Sequence, residues 1–403
     1  MSRAGLEMQL VNYAAWIPAE KAALEVATAP FPSHCGADEV IIKNRAVAVN
    51  PVDWKIQTSG GFGLKYPAII GEDVAGEVIE VGKDVDRKSL KRGDRVIAHA
   101  LSLGEGSAYA GFQLYPRLKA ATVAKIPDDL EFKHAVVLPL SISTAASGLY
   151  LKDTLGLEYP RLRKNGLGLG HGQVVLSSLS STSTSLTSPP TSASAEHGLG
   201  SWTMVDIDVN KPKANPVLLL WGGSSSVGSS VIQLAVASGY DVVTTASPAN
   251  YSYVKSLGAV LVLDYHNPDI VPILVSLLKG QGRCVVGAYD AIGSVTTVGQ
   301  CAAVLHALDN GGGTVASVGA APDADELPPN VKVSRISGEK IVSTEDGIVA
   351  KKVWQEYVSG ALGDKSLKPA PEELVVGNGL YYVQGGLDRQ KKGVSARKVV
   401  VTL

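Results

Sequence analysis

Hydrophobic and polar positions along this chain follow two rhythms, with a break between them. Between residues 39 and about 100 the apolar residues come in short runs and alternations. Residues 40–49 (VIIKNRAVAV) and 74–81 (VAGEVIEV) have the period of strands, and residues 95–98 resume one. Gly82-Lys-Asp and Lys91-Arg-Gly-Asp supply turns between them, so this part is expected to form a compact, barrel-like β unit. From about Pro216 the rhythm becomes strand, helix, strand. Strands are predicted at residues 217–221, 241–246, 260–265, 284–289 and 314–319, with helices at 227–238, near 250–257, at 268–279 and at 295–308. Repeated alternation of this kind predicts an α/β fold with a doubly wound parallel sheet and right-handed crossovers. The segment from about Leu327 is mixed and ends in the strand-like residues 398–403, which are expected to pair back onto the first sheet. The resulting division is residues 1–145 and 327–403 for a discontinuous β-rich domain, and 146–326 for the α/β domain.

The break lies between the two rhythms. Residues 177–195 (SSLSSTSTSLTSPPTSASA) have too few apolar side chains to pack, and residues 157–215 are read as a surface insertion, in part disordered. The Asn-x-Ser sequon at Asn250 is expected to be silent.

Composition narrows the classes further. With 403 residues, 45% of them hydrophobic and 19% charged, the chain has ample core material and the length of two domains. A formal net charge of -1 gives no electrostatic footprint for nucleic acid or an acidic membrane. Cys35, Cys284 and Cys301 are far apart, without metal-finger or redox spacing, and suit a reducing compartment. Neither a secretory h-region nor an apolar run of roughly 18 residues is seen, so a cytoplasmic location is expected.

The strongest chemical signal is the run from Leu218 to Gly228 (LLLWGGSSSVG), a strand passing through a Gly/Ser turn into a helix. Small residues there let backbone amides approach a pyrophosphate, and a helix N-terminus adds free N–H groups and a favourable dipole. Gly222, Gly223 and Gly228 fit, although Ser225 and Ser226 occupy positions where another glycine is common. A tight turn without a ligand is the alternative. The end of the next strand selects the dinucleotide. NAD sites usually place an acid there, whereas this strand runs Val-Thr-Thr-Ala-Ser247. Ser247 and Asn250 offer hydrogen bonds to a 2′-phosphate and Lys255 offers charge, so NADPH is expected. Both polar residues also suit helix capping.

Together with that turn, Asn50-Pro-Val-Asp-Trp-Lys55 and Gly71-Glu-Asp-Val-Ala-Gly76 resemble the medium-chain dehydrogenase/reductase superfamily. The segments starting at Leu138, Thr245, Lys255, Gly385 and Gly393 extend the likeness. More narrowly, the chain resembles fungal enoyl-reductase and quinone-reductase-like members, including trans-acting enoyl reductases. The resemblance implies a GroES-like catalytic domain and a Rossmann cofactor domain. It places Asn50, Pro51, Val52 and Asp53 at the nicotinamide end. Ser224, Ser225, Ser226 and Val227 would face the pyrophosphate, and Ser247, Pro248, Ala249, Asn250 and Lys255 the adenosine phosphate. Tyr265 would lie on the adenine side, while Val394 and Ser395 close over the cofactor. Leu138, Pro139, Leu140, Ser141, Ile142, Ser143, Thr144 and Ala145 would border the substrate.

Zinc-dependent members carry Cys near the start of the first motif and His where this chain has Glu72, and often a four-cysteine lobe. Those features are missing, so no metal is expected. The expected reaction is hydride transfer from NADPH to an activated C=C bond of an enone, enoyl thioester or quinone. Lys55 and Thr144 are the candidates to polarise or orient the carbonyl; each has an ordinary structural role as its alternative. Competing functions are an alcohol or ketone dehydrogenase, and a non-catalytic NADPH-binding subunit. A homodimer, or docking to a biosynthetic enzyme, is the partner expectation.

Overall fold

A computed structural model describes residues 10–60, 63–162, 215–280, 282–308, 311–319, 322–343 and 347–403. The Ser/Thr-rich run at 177–195, and most of the segment read as an insertion, lie outside the described residues.

In chain order the first half contains β1 (Asn12–Ile17), β2 (Glu25–Ala29), β3 (Glu39–Val49), helix α1 (Pro51–Ser59), β4 (Ala68–Ile69), β5 (Asp73–Val81), β6 (Arg95–His99), β7 (Arg117–Lys119) and β8 (Val123–Lys125). β1, β2 and β4 form a small antiparallel sheet. β3 does not keep a clean polar/apolar alternation, and nearly all of it is buried, because both of its faces are covered. Helix α2 (Pro139–Tyr150) follows, with proline at its start, where a missing N–H costs nothing.

The second half contains β9 (Val217–Trp221), α3 (Ser226–Ala237), β10 (Asp241–Ala246), α4 (Tyr251–Ser256), β11 (Leu261–Asp264), α5 (Ile270–Gly280), β12 (Val285–Asp290), α6 (Val295–Ala307), β13 (Gly313–Ser317) and β14 (Val331–Arg335). These six strands are all parallel, in the order β11-β10-β9-β12-β13-β14. That is the doubly wound order, with its switch point at β9. The sixth strand, β14, comes from beyond Leu327, where the sequence had no clear period.

The chain closes with β15 (Glu372–Asn378), α7 (Val383–Lys391) and β16 (Arg397–Thr402). β16 returns to the first half as anticipated and pairs antiparallel with β3, Val399 opposite Val49. The mixed sheet therefore reads β15-β16-β3-β5-β6-β8, with β7 also on β3.

α2 joins the two sheets. Every residue of it except Leu140 is buried, and it shares one core cluster with Ala46 and Ile97 of the mixed sheet and Leu218 and Leu220 of the parallel sheet. Its sequence, PLSISTAASGLY, is apolar or small on every side, as a helix covered all round requires. A Cβ on Gly148 would come within 2.3 Å of the Tyr289 ring, so the helix approaches β12 only because that side chain is absent. The expected start of the insertion at residue 157 is too early. Leu157 N–H donates to Leu149 O at 2.8 Å, Tyr159 packs on the Tyr150 ring, and Arg161 N–H donates to Ala237 O at 3.1 Å. Residues 157–162 are thus packed onto α2 and α3.

Candidate active site and cofactor cleft

The turn after β9 lies at the switch point of the parallel sheet, where the crossovers leave a crevice beyond the strand ends. Gly222 has φ +83°, a conformation that favours glycine. Gly228 has an ordinary φ, but a Cβ there would lie 2.2 Å from Gly222 O. Helix and strand can meet only with hydrogen at that position. Ser225 caps α3 by accepting from Gly228 N–H at 2.9 Å. Ser224, Ser225, Ser226 and Val227 are half-buried, and Ser226 Oγ is a buried hydroxyl with no hydrogen-bond partner. No acidic residue stands in the first turn of α3. An orphaned hydroxyl beside free helix N–H groups fits an anionic pyrophosphate.

At the end of β10, Asn250 Nδ2 donates to Ser247 Oγ at 3.1 Å and to Ser395 Oγ at 3.2 Å. The structure thus brings together three of the expected cofactor residues from two distant segments, with Val394 half-buried next to them. Pro248, Ala249 and Lys255 are exposed. Tyr265 is also exposed and stacks on His266, ring centroids 4.0 Å apart. The nearest acid by register is Asp264 of β11, opposite Ala246, a neighbour the strand-by-strand reading missed. His266 Nδ1 lies 2.7 Å from its carboxylate.

The other end of the site is built around a buried ion pair that sequence reasoning did not single out. Lys398, only 2% exposed, points from β16 to Asp73 Oδ2 at 2.8 Å and to Asn50 Oδ1 at 2.5 Å. Asn50 Nδ2 donates to the same Asp73 oxygen at 2.7 Å, and Leu140 N–H donates to Asp73 Oδ1 at 2.6 Å. One carboxylate therefore ties together the start of α1, the start of α2 and the last strand. Asp53 lies beneath, accepting from Asn50 N–H at 2.7 Å. Burial pushes the Asp53 carboxyl well above its usual range. The signal available in the sequence was a lysine leading the run of valines in the last strand, RKVVVT.

A second buried group stands alongside. Glu72 accepts from Ser102 Oγ and lies 3.1 Å from His99 Nε2. Burial raises the Glu72 carboxyl well above the usual carboxylate range and lowers the His99 imidazole to about 4.

Among the expected catalytic and substrate residues, Thr144 is nearly buried on α2, and its carbonyl accepts from Tyr289 Oη at 2.8 Å. Lys55 is exposed on α1, with Nζ 5.8 Å from the Trp54 ring centroid. Pro51 is exposed and Val52 half-buried. Leu138, Ile142 and Ala145 are core residues, and Pro139 is buried. Ser141 Oγ meets Ser230 Oγ at 2.8 Å, and Ser143 accepts from Trp354 Nε1 at 3.0 Å, so both hydroxyls join α2 to neighbouring helical segments. Leu140, half-buried, and Thr144 pack closely against Gly338, where an added Cβ would lie 3.2 Å from Leu140 Cδ1 and 3.1 Å from Thr144 Oγ1.

Comparison with known proteins agrees with this architecture. Residues 36–128 match the alcohol dehydrogenase GroES-like domain family, and residues 226–356 match the zinc-binding dehydrogenase family. The chain is 38% identical to trans-enoyl reductase himH of Aspergillus japonicus, across 98% of each protein. It is 36% identical to dehydrogenase pigH of Monascus ruber, across 97% of this chain and 99% of that protein. Among solved structures, mycobacterial Rv1454c complexed with NADPH superposes with a TM-score of 0.63 at 22% identity, covering 97% of this chain and 100% of that one.

Proposed function

Because the chain belongs to the medium-chain dehydrogenase/reductase superfamily, in its enoyl-reductase-like branch, we propose that it uses NADPH, without zinc, to reduce an activated C=C bond in an enone, enoyl thioester or quinone. The observation that carries this reading is the Lys398 ammonium, held against Asn50 and Asp73 where zinc-dependent relatives begin their metal site.

The donor set at that place does not fit a catalytic zinc. The Asn50 side chain is taken up by Asp73 and Lys398, and both Glu72 oxygens are engaged, by Ser102 and His99. A fixed buried ammonium would also stand beside an added dication, at high Coulombic cost in a medium of low permittivity. Among the described residues no three His, Cys, Asp or Glu side chains are grouped to hold a metal ion. Lacking a Lewis acid, the site suits a bond already polarised by conjugation. The likeness to himH, a trans-enoyl reductase, favours C=C reduction over that of a plain ketone.

When bound, the reduced nicotinamide supplies a hydride. The chain's part is to hold both reactants in line in a dry cleft, where alignment alone contributes much of the rate. Ser224 to Val227 and the α3 N-terminus hold the pyrophosphate. Ser247, Asn250 and Ser395 surround the adenosine phosphate, with Val394 alongside. Lys55 and Thr144 orient the carbonyl as its oxygen gains charge. The test is NADPH oxidation measured across enones, enoyl thioesters, quinones and simple ketones, with zinc assayed in the same purified sample. Reduction of simple ketones with one zinc per chain overturns the proposal.

Two further results are expected. Ser247→Asp places an acid against the 2′-phosphate, and its NADPH affinity should fall at least about tenfold while NADH affinity is maintained, since a like charge costs a few kcal/mol at such a contact. Equal losses for both dinucleotides would remove the strand end from cofactor choice. Lys55→Ala should lower kcat more than it raises the Kd for NADPH; unchanged turnover would exclude Lys55 from the chemistry.

A further inference from the structure

Most of the residues expected to border the substrate are core or already bonded, so the substrate's own space lies elsewhere. Sheet order indicates where. Ser247 and Asn250 stand at the end of β10, and the Gly/Ser turn stands at the end of β9. An extended dinucleotide running from the first to the second points its nicotinamide toward β12, β13 and β14, the next strands in order. The chain leaves β14 at Arg335, and Ile336 N–H donates to Ser317 O at 2.8 Å. Residues 337–343 therefore begin beside the end of β13.

Those residues supply one wall of a surface cavity of about 290 Å³. The other wall is Leu101, Gly104 and Glu105, which follow β6 of the mixed sheet. Ser102, within the same stretch, donates to Glu72, so this wall is anchored on the buried acid that adjoins Asp73. Gly104 N–H donates to Glu339 Oε1 at 3.1 Å and ties the two walls together. The volume is just below the usual range of ligand pockets, roughly 300–1,000 Å³, and holds part of a small molecule.

The lining divides by chemistry. Leu101 is buried and Val342 half-buried, and both are apolar. Glu339 is half-buried; Gly104 engages its Oε1, and its Oε2 accepts no hydrogen bond among the described residues. Glu105 is exposed at the rim. Lys340, the cation among the lining residues, has its Nζ 3.9 Å from Asp153 Oδ2 and is paired away from the cavity. A chain lying here meets apolar surface, one free carboxylate oxygen and net negative charge.

We propose that this cavity receives the far end of the substrate, and that Glu339 selects a neutral chain ending in a hydroxyl over one ending in a carboxylate. The proposal rests on the C=C reduction set out above. A terminal hydroxyl donates to Glu339 Oε2 while its carbon chain lies on Leu101 and Val342. A carboxylate in the same place meets like charge in a half-buried setting, which opposes binding. No bond is made or broken at this end. The cavity acts on the choice of substrate alone.

The test uses linear enones of equal length that end in a hydroxyl or a carboxylate, reduced with NADPH by the full chain. For the wild type, kcat/KM should be at least about tenfold lower for the carboxylate, a ratio within reach of one polar contact. Glu339→Gln keeps an acceptor for Gly104 N–H and removes the charge, and it should raise the carboxylate-to-hydroxyl ratio about tenfold. A purely structural role for Glu339 would leave that ratio where it was. Val342→Phe narrows the cavity and should lower kcat/KM for the long hydroxyl enone, relative to methyl vinyl ketone, at least about tenfold. Ser343→Trp at the exposed rim serves if Val342→Phe does not fold. Equal or preferred use of the carboxylate by the wild type, or a ratio left within about twofold by either variant, overturns the assignment of the cavity. A wild type that reduces no enone overturns instead the reading of function on which it rests.

Discussion

Lys398→Met is expected to lower folding stability by about 3–5 kcal/mol, the cost of stranding one member of a buried ion pair. Methionine approximates the lysine stem in volume, so little of the loss comes from packing. What remains is the Asp73 carboxylate, fully buried, with hydrogen bonds from Asn50 Nδ2 and Leu140 N–H and no counter-charge. Asn50 Oδ1 loses its donor as well. The double variant Lys398→Met, Asp73→Asn removes both charges and should recover most of the loss, because replacing a whole buried pair is far less damaging than halving it. Urea denaturation of the three proteins checks this. A single variant within about 1 kcal/mol of the wild type would show that Asp73 is neutralised some other way.

Gly228→Ala should have the largest effect on the cofactor. The added Cβ would lie 2.2 Å from Gly222 O and 2.8 Å from Gly223 Cα, both backbone atoms, so no rotamer change can make room. The start of α3 must then move away from β9. A stability loss of about 1–3 kcal/mol is expected from the overpacking. An affinity loss for NADPH of at least about tenfold should accompany it, since the amides that meet the pyrophosphate are displaced. Gly299→Ala in α6 is the control: its Cβ meets nothing within 4 Å, and stability should hold or rise slightly. Calorimetric titration with NADPH separates the two. Wild-type affinity in Gly228→Ala would place the pyrophosphate elsewhere.

The parallel sheet was legible because its strands are short apolar runs between helices of ordinary length, and β9 to β13 fall within a few residues of expectation. β14 was not, because VKVSR alternates weakly and follows a loop with no periodic signal. The return of β16 was legible from its run of valines. The cofactor turn could be read from Gly222, Gly223 and Gly228 because the geometry there is a backbone requirement, and backbone requirements leave glycines in the sequence. The buried charges were harder. Asp73, Glu72 and His99 derive their character from register across β3, β5 and β6, where Asp73 pairs with Ala48 on one side and His99 on the other. Local pattern carries no information about such pairing. The same holds for Ser141 and Ser143, whose hydroxyls look available for a substrate in sequence and are occupied by Ser230 and Trp354 in the fold.

The bond between Lys398 and Asn50 spans 348 residues of chain, and this has a bearing on how the protein folds. Each βα unit of the parallel sheet closes over a short loop, whereas β16 reaches β3 only after almost the entire chain has been gathered. Non-local pairings form late because loop closure must be met before contact rewards it. Until β16 arrives, β3 offers an unpaired edge of valine and alanine next to an uncompensated acid. An unpaired edge of that kind is a template for pairing with another chain until it is covered. Kinetics should therefore be biphasic, with cofactor-sheet structure first and the mixed sheet second. The slow step should be the one that seats Lys398.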